Sequence, residues 1–299
     1  MILHPSVLAA LIAATSLYPG KALAGLSREE IESFQSNSRL AEQGNATAQC
    51  NLGILYETGT GTVQDYTKAV TWYRKSAEQG FAQAQYNLGA CYRTGHGVDV
   101  NEVDAIWWFR KAAEQGSPKA QYNLGVIYSD GKGIEDASMA INWYLKAAEQ
   151  GFAHAQNNVG SCYEKGSGVM VDYQKAVSWF EKAAAQGLAL AQYNLGRCYD
   201  VGRGVPQDTS KAIEQYRKAA YQGHAGAQNN LGVCYADNKG VARNVVEAFA
   251  LYSLAAPKSE NARGNLESLE RNLSKTEIAL GLKRAEELKQ TIESSKSAR

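Results

Sequence analysis

A chain of 299 residues ordinarily makes one or two globular domains, and here 31 Lys and Arg stand against 30 Asp and Glu. Setting aside residues 1–24, whose one such charge is Lys21, leaves 30 against 30, so no basic excess recommends nucleic acid or an anionic membrane as a partner. The four histidines, His4, His96, His154 and His224, have no short ligand spacing, so neither a metal nor another cofactor is expected.

Residues 1–24 form a short apolar run ending in Ala22-Leu23-Ala24 before Gly25. A run of this length with a small-x-small close resembles a secretory signal peptide and is too short for a comfortable membrane span. Leu26 occupies a position where a bacterial lipoprotein would need cysteine, and the stretch before the run has His4 but no Lys or Arg. The expectation is a cleaved export signal and an oxidising, periplasmic or extracellular compartment, with no membrane span in the mature chain.

After residues 25–44, which are expected to form an N-terminal helical cap and whose Leu40 to Gly44 echo the end of a preceding helix, one motif returns six times. It reads AQCNLGILYETGTG from Ala48, AQYNLGACYRTGHG from Ala84, AQYNLGVIYSDGKG from Ala120, AQNNVGSCYEKGSG from Ala155, AQYNLGRCYDVGRG from Ala191 and AQNNLGVCYADNKG from Ala227. The spacings of 36, 36, 35, 36 and 36 residues are those of a solenoid repeat, which grows by stacking rather than by enlarging one core. A catalytic loop usually occurs once, whereas a structural device recurs.

Each unit predicts two helices. Ala48, Leu52 and Tyr56, with their counterparts in the other five units, step by four along one face of the first helix. KAVTWYRKSAEQG (68–80) gives the second stripe through Ala69, Trp72, Tyr73 and Ala77. Between them, glycines at 59, 95, 131, 166 and 202 fall where a left-handed residue caps a helix, and Asn238 is the tolerated substitute in the sixth unit. A second glycine, at 61, 97, 133, 168, 204 and 240, does not vary, and polar residues such as Asp65, Asp172 and Asp208 lead into the second helix. A third, at 53, 89, 125, 160, 196 and 232, lies inside the first helix. It costs about 1 kcal/mol against alanine, so a bulky neighbour such as Trp72 or Tyr73 is expected over the bare backbone.

The pattern A-x-x-x-L-G-x-x-Y-x-x-G-x-G-V followed by K-A-x-x-W-Y-x-K-A-A-x-Q-G resembles the Sel-1-like repeat, a relative of the tetratricopeptide repeat. The resemblance covers residues 45–256, and residues 257–299 resemble the terminal helices and polar tail of such arrays. It implies an all-α, right-handed superhelical solenoid of antiparallel helix pairs with a concave, ligand-facing side. It also implies which residues face the ligand: Cys50, Tyr86, Tyr122, Asn157, Tyr193 and Asn229, then Ile54, Ala90, Val126, Ser161, Arg197 and Val233, and one turn on Glu57, Arg93, Ser129, Glu164, Asp200 and Ala236.

Chemistry has few candidates. Cys91, Cys162, Cys198 and Cys234 share a column with Leu55 and Ile127, which marks it as core, and equivalent positions in successive repeats lie too far apart for a disulfide. Cys50 is out of that column. A cysteine-rich subgroup of Sel-1-like proteins, some of which bind or hydrolyse β-lactams, staples each repeat with a regularly spaced pair that this chain lacks. Gly166-Ser167-Gly168 is a repeat loop, the C-terminal SSKSAR a polar tail, and neither brings a base for a serine nucleophile. The glycine loop does not fit G-x-x-x-x-G-K-[ST]. The Trp column, Trp72, Trp108, Trp143 and Trp179, lies on the apolar stripe and reads as inter-helix packing.

The sequence therefore predicts an exported, non-enzymatic monomer that binds a protein or peptide through Tyr86, Arg93, Tyr122, Asn157, Tyr193, Arg197 and Asn229. Tyr and Arg suit binding hot spots, and Asn can bond an extended backbone. The alternative is a periplasmic penicillin-binding or β-lactamase-like enzyme.

Overall fold

The computed structural model describes residues 26–129 and 136–297, and every regular element among them is an α-helix. The proposed export signal over residues 1–24 lies outside the described residues, as do Gly131 and Gly133. The chain divides into two compact units between Leu124 and Gly125. The first holds α1 (Arg28–Glu42), α2 (Ala46–Thr58), α3 (Tyr66–Glu78), α4 (Ala82–Thr94) and α5 (Glu102–Glu114), and the division falls within α6 (Pro118–Ser129). The second continues with α7 (Ala137–Glu149), α8 (Ala153–Lys165), α9 (Tyr173–Ala185), α10 (Ala189–Val201), α11 (Thr209–Ala220), α12 (Ala225–Ala236), α13 (Val245–Ala255), α14 (Glu260–Glu270) and α15 (Lys275–Ser297). Successive helices pack on one another from α1 to α5 and from α7 to α14, and α15 packs along α13.

Local chemistry explains where the helices begin and end. Asp65, Asp172 and Asp208 are N-caps, each accepting the N–H three residues on, and Asn101, Asp136 and Asn244 do the same for α5, α7 and α13. Gly59, Gly95, Gly166 and Gly202 close their helices in the left-handed conformation. In the sixth unit Asn238 takes that conformation with φ 56°, alone among the described non-glycine residues, and its Oδ1 accepts the Arg243 N–H at 3.1 Å.

The mid-helix glycines meet the expected aromatic, which is the residue of the Tyr73 column. A Cβ on Gly125 would stand 2.5 Å from ring atoms of Tyr144, and Gly53, Gly89, Gly160, Gly196 and Gly232 face Tyr73, Phe109, Phe180, Tyr216 and Tyr252. Burying each ring is worth about 1.5–3 kcal/mol, more than the helix propensity forgone. The neighbouring Trp column lies to the side, where Lys75, Lys146 and Lys182 place their ammonium groups 4.2, 4.2 and 3.9 Å from the rings of Trp72, Trp143 and Trp179.

Repeats are also joined by buried amides that the hydrophobic pattern does not announce. In the first unit Gln85 Nε2 donates to Ala77 O at 3.1 Å, and its Oε1 accepts from Gln115 Nε2 at 2.7 Å. Gln115 also donates to Gly80 O at 2.9 Å. Gln156 with Gln186, and Gln192 with Gln222, repeat this in the second unit. Both ends of each buried amide are satisfied, which is the condition for burying it without penalty.

Candidate partner-binding face

In the first unit, Tyr86 and Arg93 lie two turns apart on α4 and converge on one ring. The Tyr86 ring is 5.8 Å from that of Phe109, and the Arg93 guanidinium carbon is 6.0 Å from the same ring centroid. Phe109 is fully buried against Gly89, so the aromatic that the helix glycine admits is also the floor on which the outward residues rest. Arg93 is exposed, and Tyr86 is half-buried, as is Tyr122 on α6.

The second unit repeats the device with more polar support. Tyr193 stands 4.6 Å from the His224 ring and 6.2 Å from that of Tyr216, with the Arg197 guanidinium carbon 5.9 Å from its centroid. Arg197 Nη2 lies 3.7 Å from Glu164 Oε1, which Arg203 Nη1 reaches at 3.0 Å. Lys239 Nζ contacts Asp200 Oδ1 at 2.6 Å, a bond that raises the lysine pKa, and the Tyr216 hydroxyl donates to Asp200 Oδ2 at 3.3 Å. With Cys198, Val201 and Asn230, most of these groups line a cleft of about 180 Å³. The basic partners are 41–43% exposed, so each pair adds no more than about 1 kcal/mol. Their effect is to fix the direction of Arg197 beside Tyr193.

Asn157 and Asn229 are placed differently. Asn157 is 2% exposed, and its Oδ1 accepts from Asn194 Nδ2 at 2.9 Å. Asn229 is half-buried, with its Oδ1 taken by Asn265 Nδ2 of α14 at 2.9 Å and its own amide donating to Asn230. Cys50, likewise buried, faces Asn87 Nδ2 at 3.9 Å from its Sγ. The column expected to face a ligand thus splits: its tyrosines are half-exposed rings, while Cys50, Asn157 and Asn229 are partners of an asparagine 36 or 37 residues on. Helical periodicity puts position 157 on the right face of α8, but α10 closes over it. The signal lay in the adjacent asparagine column, in which Asn87 and Asn194 reach back to Cys50 and Asn157. The third row is partly engaged too, for the Tyr73 hydroxyl donates to Glu57 Oε2 at 2.5 Å.

All five cysteines are free, and only Cys162 is less than fully buried. Burial pushes the thiols of Cys50 and Cys91 up to about 12, the Glu57 carboxylate adding to it, and those of Cys162, Cys198 and Cys234 up to about 11. An unfolded thiol ionises near pH 9, so above that pH the unfolded chain binds fewer protons than the folded one. Stability is therefore full below about pH 9 and lost as pH climbs toward 11–12. A thermal series should give a steady Tm to about pH 8.5 and a falling one above it, with thiol reagents reaching Cys50, Cys91, Cys198 and Cys234 only as the chain unfolds; an equal Tm at pH 8 and pH 10 would contradict the assignment. Among the described residues no group of three His, Cys, Asp or Glu is arranged to hold a metal ion.

Comparison with known proteins places this geometry. The Sel1 repeat model matches six consecutive segments, 46–81, 82–117, 118–152, 153–188, 189–224 and 225–256. No curated protein gave a match. The chain resembles the crystal structure of a protective antigen of uropathogenic Escherichia coli strains, which displays an SLR fold, with a TM-score of 0.83 and 33% identity over 92% of this chain. It spans 61% of that antigen's length. It also resembles a Sel1 repeat protein from Oxalobacter formigenes, with a TM-score of 0.66 and 36% identity over 71% of this chain and 86% of the other. The six matches run without a break from residue 46 to residue 256, more than half of the chain, and the chain belongs to the Sel1 repeat family.

Proposed function

We propose that this Sel1 repeat chain is an exported, non-catalytic scaffold that binds a protein or peptide along its first helices. Solenoids of this class generally serve protein–protein interaction. The observation that carries the finer reading is Tyr193, held by His224 and Tyr216 with Arg197 alongside: a half-exposed aromatic and a cation set in position before any partner arrives. Pre-organised Tyr and Arg side chains lose little rotamer freedom on binding and supply the residue types that dominate hot spots. Tyr86 and Arg93 form a second such pair, and Tyr122 a third anchor. Asn157 and Asn229 serve in this reading as buttresses between repeats. Export rests on the sequence of residues 1–24, and no described helix is long and apolar enough to cross a membrane.

Affinity purification from the native host, with the full chain tagged at its C-terminus as bait and a Tyr86→Ala, Tyr122→Ala, Tyr193→Ala variant beside it, tests both claims. Mass spectrometry should find a mature N-terminus at Gly25, and recovery of the partner should fall at least about tenfold in the variant, the loss of two or more anchors. Equal recovery would refute the face. The purified mature chain is expected to leave nitrocefin intact, and turnover would favour the β-lactamase-like reading.

A further inference from the structure

The outer side of each second helix offers an internal comparison. The position of Thr71 in the first repeat is held by Trp107, Asn142, Ser178, Glu214 and Ala250 in the others, and that of Thr67 by Val103, Ser138, Gln174, Ser210 and Val246. Four repeats carry polar, exposed residues at both positions. Two repeats depart, and they depart alike. The sixth reads Val246, Glu247, Ala250 and the second Val103, Asp104, Trp107: apolar, acidic, and apolar one turn on.

In the sixth repeat the reason is visible. The amphipathic helix α15 lies along α13, where Arg284 Nε meets Glu247 Oε2 at 2.7 Å, and Gly281 receives the Phe249 ring. Ala250 is fully buried, in one cluster with Leu288. In the second repeat the same pattern faces solvent, with Val103 76% and Trp107 50% exposed. One edge of the Trp107 ring packs against Trp108, with centroids 4.3 Å apart, and the rest of it lies beside Val103 in water.

We infer that the outer face of α5 is a docking site for an amphipathic helix of a protein partner. That helix covers Val103 and Trp107 and brings a basic side chain to Asp104 as α15 brings Arg284 to Glu247. Charge complementarity favours a protein helix over an anionic lipid surface. Asp99, Glu102 and Asp104 cluster at the start of α5, while Lys111, whose ammonium is 5.4 Å from the Trp107 ring, lies one turn beyond it. The partner helix is accordingly basic at one end and acidic at the other. The inference is independent of the first-helix face proposed above.

The probe is a fluorescein-labelled peptide of residues 275–297, titrated against the full chain by anisotropy. Wild type is expected to bind it saturably, with at least about tenfold weakening in Val103→Thr/Trp107→Asn and in Asp104→Lys, the scale of a lost aromatic anchor or charge pair. The double variant carries the residues of the first and third repeats, Thr67 and Asn142, so it should fold, which its melting curve checks. Absence of saturable binding, or equal binding by the double variant, overturns the inference. A wild-type dimer in sedimentation velocity that the double variant abolishes would assign the face to a second copy, and variant-sensitive binding to phosphatidylglycerol vesicles would assign it to lipid; either overturns the helix partner.

Discussion

Gly97→Ala is expected to cost about 3 kcal/mol of stability, lowering the denaturation midpoint far more than a mid-loop alanine ordinarily would. Gly97 has φ +74°, where an L residue loses about 1–2 kcal/mol. Its new Cβ would also run into the carbonyl of Tyr66 and come within 2.8 Å of Thr67 N, the opening backbone of α3. Backbone at a helix start cannot swing aside as a side chain can, so overpacking adds about 1–3 kcal/mol. Gly61, Gly168 and Gly204 meet backbone in the same way, at Glu30, Ala137 and Tyr173. Gly240 is the useful contrast: with φ +69° it carries the same conformational strain, but its nearest atoms are side-chain carbons of Thr209 and Ile213. Gly240→Ala should therefore be the milder variant, and a Gly97→Ala midpoint equal to that of Gly240→Ala would remove the close-approach account and leave conformation alone.

This glycine also marks the boundary of what a sequence discloses. That position 97 never varies between repeats was plain from the alignment of the six motifs, yet its reason, a neighbouring helix start pressed against it, is a contact 30 residues away in the chain. Features that one helix decides were legible: the caps, the left-handed Asn238, the Ala, Leu and Tyr stripe. Features that two repeats decide were not. Gln85 reads as a polar residue and is 4% exposed, because its partners Ala77 O and Gln115 complete an amide chain that periodicity cannot reveal. Asn157 was placed on an open face for the same reason. The rings of Tyr86 and Tyr193 stay half-exposed, resting on Phe109 and Tyr216. Trp107 was readable by comparing columns across repeats, since a tryptophan among Thr71, Asn142, Ser178 and Glu214 is out of keeping with them whatever the fold.

Arg284→Met is expected to destabilise the end of the array by about 2 kcal/mol, and Glu247→Gln by roughly half as much, although both break the same pair. The asymmetry follows from burial. The Glu247 side chain is 11% exposed against 36% for Arg284, so removing the arginine strands a carboxylate inside, whereas removing the carboxylate leaves a guanidinium that water and Glu287, 3.3 Å away, can serve. The upper range for breaking a buried pair, about 3–5 kcal/mol, is reduced here because one partner is substantially solvated. In the double variant neither charge is stranded, and most of the loss should be recovered. Because a repeat array is held by nearest-neighbour interfaces, the damage should appear first as local opening. Hydrogen exchange in Arg284→Met would quicken along α15 and over Phe249 and Ala250 while α2 to α5 keep their protection. Equal losses from the two single variants, or a double variant as unstable as their sum, would mean that α15 is held by its apolar contacts and that the pair only decorates its edge.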